Sequence, residues 1–206
     1  MRPSDHIGCS EFPCEDVVYD RYLVAGVDLD PGSISMVMIS EAAPPDPADY
    51  YYASGDPLFQ QTTVQAFQDA GASVTSIQDL LAGGVYLTTA VKCGKVGYGL
   101  KAATIGACSY ILEEELALFP NVRVYMLMGD VAIKAVNTIA RRAGEPRVIP
   151  AGSTYKIRGQ PFSWRGRRVF PSYLQAGPSF FIEKSKRKMI AEDIAAALSL
   201  AGGLKL

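Results

Sequence analysis

The chain predicts an α/β protein, a three-layer α/β/α sandwich around a mainly parallel central sheet. Three observations carry this. Short runs of β-branched, methionine and aromatic residues recur at 35–40 (SMVMIS), 85–91 (VYLTTAV) and 123–128 (RVYMLM); each is apolar enough to be covered on both faces, as parallel strands are. Segments with apolar residues at helical spacing lie between and after them, at 57–71, 102–119 and 131–142. No repeat or low-complexity stretch interrupts the alternation, and 206 residues read as one domain, 1–206, with a substantial core.

In order, residues 1–33 are polar and turn-rich, with a short helix expected over 17–25 and a turn at Asp30-Pro31-Gly32. Strand 35–40 runs into EAAPPDPADYYYASGD, a proline-rich, acidic and aromatic loop of the kind that carries function inside a compact domain. Leu58, Val64, Phe67 and Ala70 set a helix over 57–71 that ends at a glycine, and 76–81 forms a brief helical turn. The strand at 85–91 is expected to stop at Lys92-Cys93. A glycine-rich turn (Gly94, Gly97, Gly99) then leads into helix 102–119, whose Ile105, Cys108, Ile111, Leu112, Leu116 and Phe119 share a face. Pro120-Asn121 turns the chain into strand 123–128, and Asp130 reads as the N-cap of helix 131–142. Short strands are expected at 148–149, 155–157 and 168–170. Helix 183–200 closes the chain before a frayed GGLKL tail.

Hydrophobic residues are 49% and charged residues 20%, a globular composition. No apolar run approaches a membrane span and MRPSDHIGCSEF holds no signal-peptide core, so a cytoplasmic location with no membrane partner is expected. In that compartment, cysteines at definite spacing lean towards metal or cluster binding rather than disulfides. The net charge of −1 argues against non-specific nucleic-acid binding, yet its distribution is lopsided. Residues 1–80 hold thirteen acidic side chains against two basic ones, whereas 141–188 hold twelve basic against two acidic. Such asymmetry is a footprint for a polyanion on one side of the molecule, and a solvated charged face leaves the same pattern.

Three stretches carry candidate chemistry. Cys93 and Cys108 bracket the turn after a strand, and Cys9-x4-Cys14 forms a loop pair. Four thiolates suit a tetrahedral zinc or a [4Fe–4S] cluster, and two core thiols plus two loop thiols give the same spacing. Ser40-Glu41-Ala42-Ala43-Pro44 ends the first strand, where a carboxylate can activate water; Asp46 and Asp49 are rivals, and a structural pairing of Glu41 with an arginine is the plain alternative. In Phe170-Pro171-Ser172-Tyr173-Leu174 a Pro-Ser turn offers donors to a phosphate and Leu174 a wedge between bases, unless the leucine is merely buried under a loop.

Taken in order, these stretches resemble the uracil-DNA glycosylase superfamily, especially its iron–sulfur, thermophile-type branch. That branch pairs a Gly-Glu-Ala-Pro-Gly-type motif with a Tyr-Ile-Thr-Asn-x-Val-Lys-Cys strand, a further cysteine in the next helix and a late His-Pro-Ser-Tyr-Leu motif. Here the counterparts are residues 40–44, Tyr86 to Cys93, Cys108 and residues 170–174. The resemblance implies a monomer that acts on DNA and a [4Fe–4S] cluster on Cys9, Cys14, Cys93 and Cys108, with zinc the lesser alternative. It also implies that Glu41 activates water, that Ala42, Phe59, Thr89 and Phe170 line a base pocket, and that Pro171, Ser172 and Leu174, with Arg165, Arg167 and Arg168, contact DNA. The departures fall where the chemistry sits. Thr89 stands for the asparagine that reads the base and Phe170 for the histidine that stabilises its departure. The leading glycine of the first motif is absent and the only histidine is His6. Losing one preorganised donor costs about 10²–10³ in rate. The resemblance thus implies either a divergent glycosylase acting on a different or more apolar base, or a cluster-bearing nucleic-acid-binding module without glycosidic chemistry.

Overall fold

The computed structural model describes residues 1–204. A six-stranded sheet has the order β1-β3-β2-β4-β6-β5. Its centre is parallel: β2 (Met36–Ala43) pairs with β3 (Val85–Lys95) and β4 (Val124–Met128), and β4 pairs with β6 (Arg167–Ser172). Antiparallel strands flank it, β1 (Val17–Tyr22) against β3 and β5 (Phe162–Trp164) against β6. The apolar runs of β2, β3 and β4 are buried along nearly their whole lengths, because both faces are covered. On one face pack α3 (Ala102–Ala117) and α4 (Asp130–Arg142); on the other lie α1 (Leu58–Asp69), α2 (Ile77–Ala82) and α7 (Lys184–Ala201). The predicted α/β/α sandwich with a mainly parallel sheet is the observed one. Short helical turns α5 (Thr154–Ile157) and α6 (Ser179–Ile182) complete the chain.

Several local expectations are corrected. Residues 17–22 are a strand, not part of a helix over 17–25: VVYDRY pairs with the far end of β3, which does not stop at Lys92-Cys93 but runs on to Lys95. The N-cap of α4 is Gly129, not Asp130; its φ of 94° is a left-handed-side conformation that glycine adopts freely, and Asp130 then places its carboxylate in the first turn. Residues 155–157 belong to a helical turn rather than a strand. Residues 148–149 form no strand, since the backbone N–H groups of Val148 and Ile149 both donate to Asn137 Oδ1 at 3.0 Å. Pro171-Ser172 is the end of β6, not a turn. The β5–β6 hairpin turns on Arg165 and Gly166, both at positive φ (49° and 76°), as tight two-residue hairpins require. Of the expected frayed tail, Lys205 and Leu206 lie outside the described residues.

Candidate active site and sulfur cavity

The four cysteines line one cavity of about 410 Å³. Cys93 lies in β3 opposite Tyr22, and Cys108 faces it from α3. Cys9 and Cys14 come from the N-terminal segment, which bends at Phe12 (φ 44°); the Phe12 ring packs 5.4 Å from Tyr19 and 5.8 Å from Tyr22, holding the bend. All four thiols are free. Burial pushes Cys93 up to about 12, with the other three thiols adding to the rise. Burial likewise lifts Cys108 to about 11, against the opposing pull of Lys92, whose backbone N–H donates to Cys108 Sγ at 3.2 Å. Thiols so placed resist ionising until a cation shares the cavity. Among the described residues, no three His, Cys, Asp or Glu side chains stand close enough together to hold a metal ion.

Behind this cavity, on the face covered by α3, sits a buried polar knot. The Lys92 ammonium bonds the Glu115 carboxylate, the Thr88 hydroxyl (2.7 Å) and the Thr89 carbonyl (2.6 Å). Tyr86 and Thr88 each donate to Glu115 at 2.8 Å. Both charged side chains are fully buried, and every bond satisfies a group that would otherwise be costly to desolvate.

Glu41 lies near the C-terminal end of β2, the end at which open α/β sheets bind ligands. Its Oε1 is 3.2 Å from Lys95 Nζ, and the two side chains retain 23% and 28% exposure, so this pair stays in reach of solvent and substrate. Lys95 also donates to the Tyr98 carbonyl at 3.3 Å. Ser40, just before Glu41, is level with Thr89 on β3. The Thr89 hydroxyl is buried and makes no hydrogen bond, as is the Tyr50 hydroxyl. Beside them Ser40, Tyr51 and Gln175 form a closed set: Ser40 Oγ is 2.5 Å from Tyr51 OH and 3.2 Å from Gln175 Oε1, and Gln175 Nε2 donates to Tyr51 at 3.1 Å. The Phe59 ring packs 5.2 Å from that of Tyr51, and Ala42 is buried next to Glu41.

Phe170 is placed elsewhere than the sequence reading had it. It pairs in register with Met126 and is buried in the apolar core with Met36 and Met38. Since Ile39 is level with Leu127 and Leu127 with Pro171, it is Ser172, not Phe170, that falls level with Ser40 and Thr89. Ser172 Oγ is engaged by Asp193 at 2.5 Å, and Asp193 by Arg158 at 2.9 Å; burial raises the Asp193 carboxyl despite both partners. Leu174 is half-buried against the same core.

The basic segment is less free than its composition suggested. Arg165 pairs with Glu145 (2.8 Å) and Glu113 (3.0 Å). Arg167 donates to the Val122 carbonyl, and Arg168 to those of Phe162, Val169 and Gln160. These three arginines sit at the start of β6, level with the N-terminal ends of β2 and β4, a strand's length from Glu41. The structure sets Glu41 and Ala42 directly after the Ser40–Thr89 level of β2 and β3 and lines one cavity with the four cysteines; it does not bring the arginines to either group. Lys95, Tyr51 and Gln175 were missed. The triple tyrosine at 50–52 was a visible signal, whereas Gln175 and Lys95 carry none in the sequence.

The uracil DNA glycosylase superfamily matches residues 37–195. A type-5 uracil-DNA glycosylase of Thermus thermophilus is 32% identical over 126 residues, which are 60% of this chain and 54% of that protein, so the match spans about half the relative's length. Among solved structures, the wild-type UNG crystal structure from Nitratifractor salsuginis aligns with a TM-score of 0.39 at 15% identity, covering 91% of this chain and 80% of that one. With a family match that takes in β2 through most of α7, the chain belongs to the uracil DNA glycosylase superfamily.

Proposed function

We propose that this chain is a divergent DNA glycosylase that hydrolyses the N-glycosidic bond of a flipped, damaged base. The observation that carries the reading is the placement of Glu41: a half-buried carboxylate at the ligand-binding end of the sheet, oriented by Lys95, one residue on from the Ser40–Thr89 level where a buried hydroxyl has no partner. Glu41 takes the proton of a water whose oxygen attacks C1′, and the bonding pair of the C1′–N bond leaves with the base. Thr89 Oγ1 offers the base edge one hydroxyl that can donate or accept. Phe59 supplies a stacking surface. Thr89 and Phe170, standing where an amide and an imidazole would read uracil, leave the site with fewer polar groups for a base edge, which favours a base other than uracil or one with fewer polar edge groups. Leu174, half-buried beyond the end of β6, is the side chain left to border the DNA, since Pro171 and Ser172 are buried and Ser172 Oγ is held by Asp193, while Arg165, Arg167 and Arg168 act only through long-range potential.

The proposal includes a [4Fe–4S] cluster held by Cys9, Cys14, Cys93 and Cys108. What supports it is the donor set, four free thiols lining one cavity, which are the ligand type and number such a cluster takes. Four cysteine ligands leave no position for substrate, so the cluster would tie the N-terminal segment to β3 and α3. The second reading, a nucleic-acid-binding module without chemistry, is favoured by the burial of Phe170 away from the Ser40 level. A panel assay separates the two. Anaerobically purified protein is incubated with oligonucleotides carrying uracil, hypoxanthine, xanthine or alkylated bases and scored for abasic sites and iron content. Excision of at least one base by brown, iron-containing protein supports the glycosylase. DNA binding with no excision moves the chain to the binding-module reading.

A further inference from the structure

The loop that joins β3 to α3 carries a feature that neither the fold nor the proposed chemistry uses. Tyr98 is fully exposed, and Val96 next to it is largely so. Their apolar surface stands free at a loop tip, where a tyrosine ring is available to a partner. Gly97 and Gly99 flank Tyr98, and a Cβ at either would meet no atom within 4 Å; neither adopts a positive φ. The fold therefore does not require glycine at these positions. What the glycines give the tip is freedom to move.

The loop is also tethered to the site. Lys95 Nζ bonds both Glu41 and the Tyr98 carbonyl, so one side chain ties the backbone of the loop tip to the carboxylate that is to meet C1′. Val96 N–H donates to the Asp16 carbonyl at 3.0 Å and fixes the base of the loop. The stem of Arg21 packs against Gly94, next to Lys95 on β3, adding a second basic side chain near the base of the loop. Leu174, the wedge expected from sequence, has half its surface spent on the core. Tyr98 has none of it spent.

We propose that the β3–α3 loop is a nucleobase-binding finger, in which Tyr98 stacks on the base next to the nucleotide presented to Glu41. This rests on the DNA reading above. Successive bases along a strand are about 3.4 Å apart, within a tyrosine's reach of the scissile position. Every base offers a π-face, so the contact is tolerant of sequence, and it fills the gap that flipping opens.

The test uses the full chain and an oligonucleotide with 2-aminopurine beside a tetrahydrofuran abasic analogue, so that no excision is needed. Wild type should bind and quench the 2-aminopurine emission. Tyr98→Ala should bind about tenfold or more weakly and lose the quenching, as removal of a base-stacking aromatic does; Tyr98→Phe and Tyr98→Trp should keep both. Tight, fully quenched binding by Tyr98→Ala overturns the proposal, and so does a loss in Tyr98→Phe as large as in Tyr98→Ala, which would mean a hydroxyl contact. If wild type binds no oligonucleotide, the DNA reading itself fails. If it binds and Tyr98→Ala matches it, only the finger fails.

Discussion

Two lysine–glutamate pairs lie three residues apart on β3 and differ in nearly everything else. Lys92 and Glu115 are sealed in the core, with Tyr86, Thr88 and the Thr89 carbonyl completing their bonds. Lys95 and Glu41 are linked by one 3.2 Å contact at the rim and keep about a quarter of their side-chain surface. A buried pair has given up its hydration, so its groups can do little but hold each other. A rim pair costs little to break and leaves a carboxylate able to meet water and substrate. The same chemistry on one strand thus serves architecture in one place and is open to catalysis in the other.

The sharpest way to break the contrast is to remove half of the buried pair. Lys92→Met should lower stability by about 3–5 kcal/mol, because Glu115 is left as an uncompensated buried charge; denaturant unfolding checks this. Adding Glu115→Leu should recover much of the loss, and a double variant no more stable than the single would show that the knot does more than neutralise itself. Phe170→His comes next. Placing an imidazole among Met36, Met38 and Met126 should cost about 1–3 kcal/mol without creating uracil excision, since that position is not level with Ser40. Restored excision would contradict the register. Lys95→Met should change stability by no more than about 1 kcal/mol while slowing any base excision, since only the positioning of Glu41 is lost.

The smallest effect concerns acid. Asp69 on α1 is held below its ordinary value by the Arg187 guanidinium on α7, with burial opposing. A carboxyl with a depressed folded value stabilises the fold fully above its unfolded value, near 3.8, and loses that contribution as pH falls through the folded value. Arg187→Met should therefore be less stable than wild type at neutral pH and converge with it below about pH 3.

How much of this was written in the chain differs between fold and site. The apolar runs of β2, β3 and β4 read correctly because burial on both faces leaves a continuous signal. β1 and the tail of β3 were misread together, and for one reason: Gly94 looked like the end of a strand, so VVYDRY had no visible partner and passed for a helix. Of the hairpin of β5 and β6 only the strand at 168–170 was read; β5 was missed, although Gly166 at the second turn position is a cue for such a turn. That Cys93 and Cys108 could face one cavity followed from a strand, a turn and a returning helix; the arrival of Cys9 and Cys14 at the same cavity did not, since they sit on an irregular N-terminal segment. The partner of Glu41 did not, because Lys95 is 54 positions away and meets it beside a register shift between β2 and β3 that no local pattern encodes. Phe170 shows the converse, a motif position read from its neighbours in sequence whose level in the sheet is set by pairing with Met126.

The central claim is that Glu41 is the group that does chemistry here, and single-turnover excision by wild type and Glu41→Ala tests it most directly. On whichever damaged base the wild type removes, Glu41→Ala should retain fold and DNA affinity and lose excision by about 10² or more. Excision by Glu41→Ala at the wild-type rate would contradict the account and leave Glu41 as no more than the partner of Lys95.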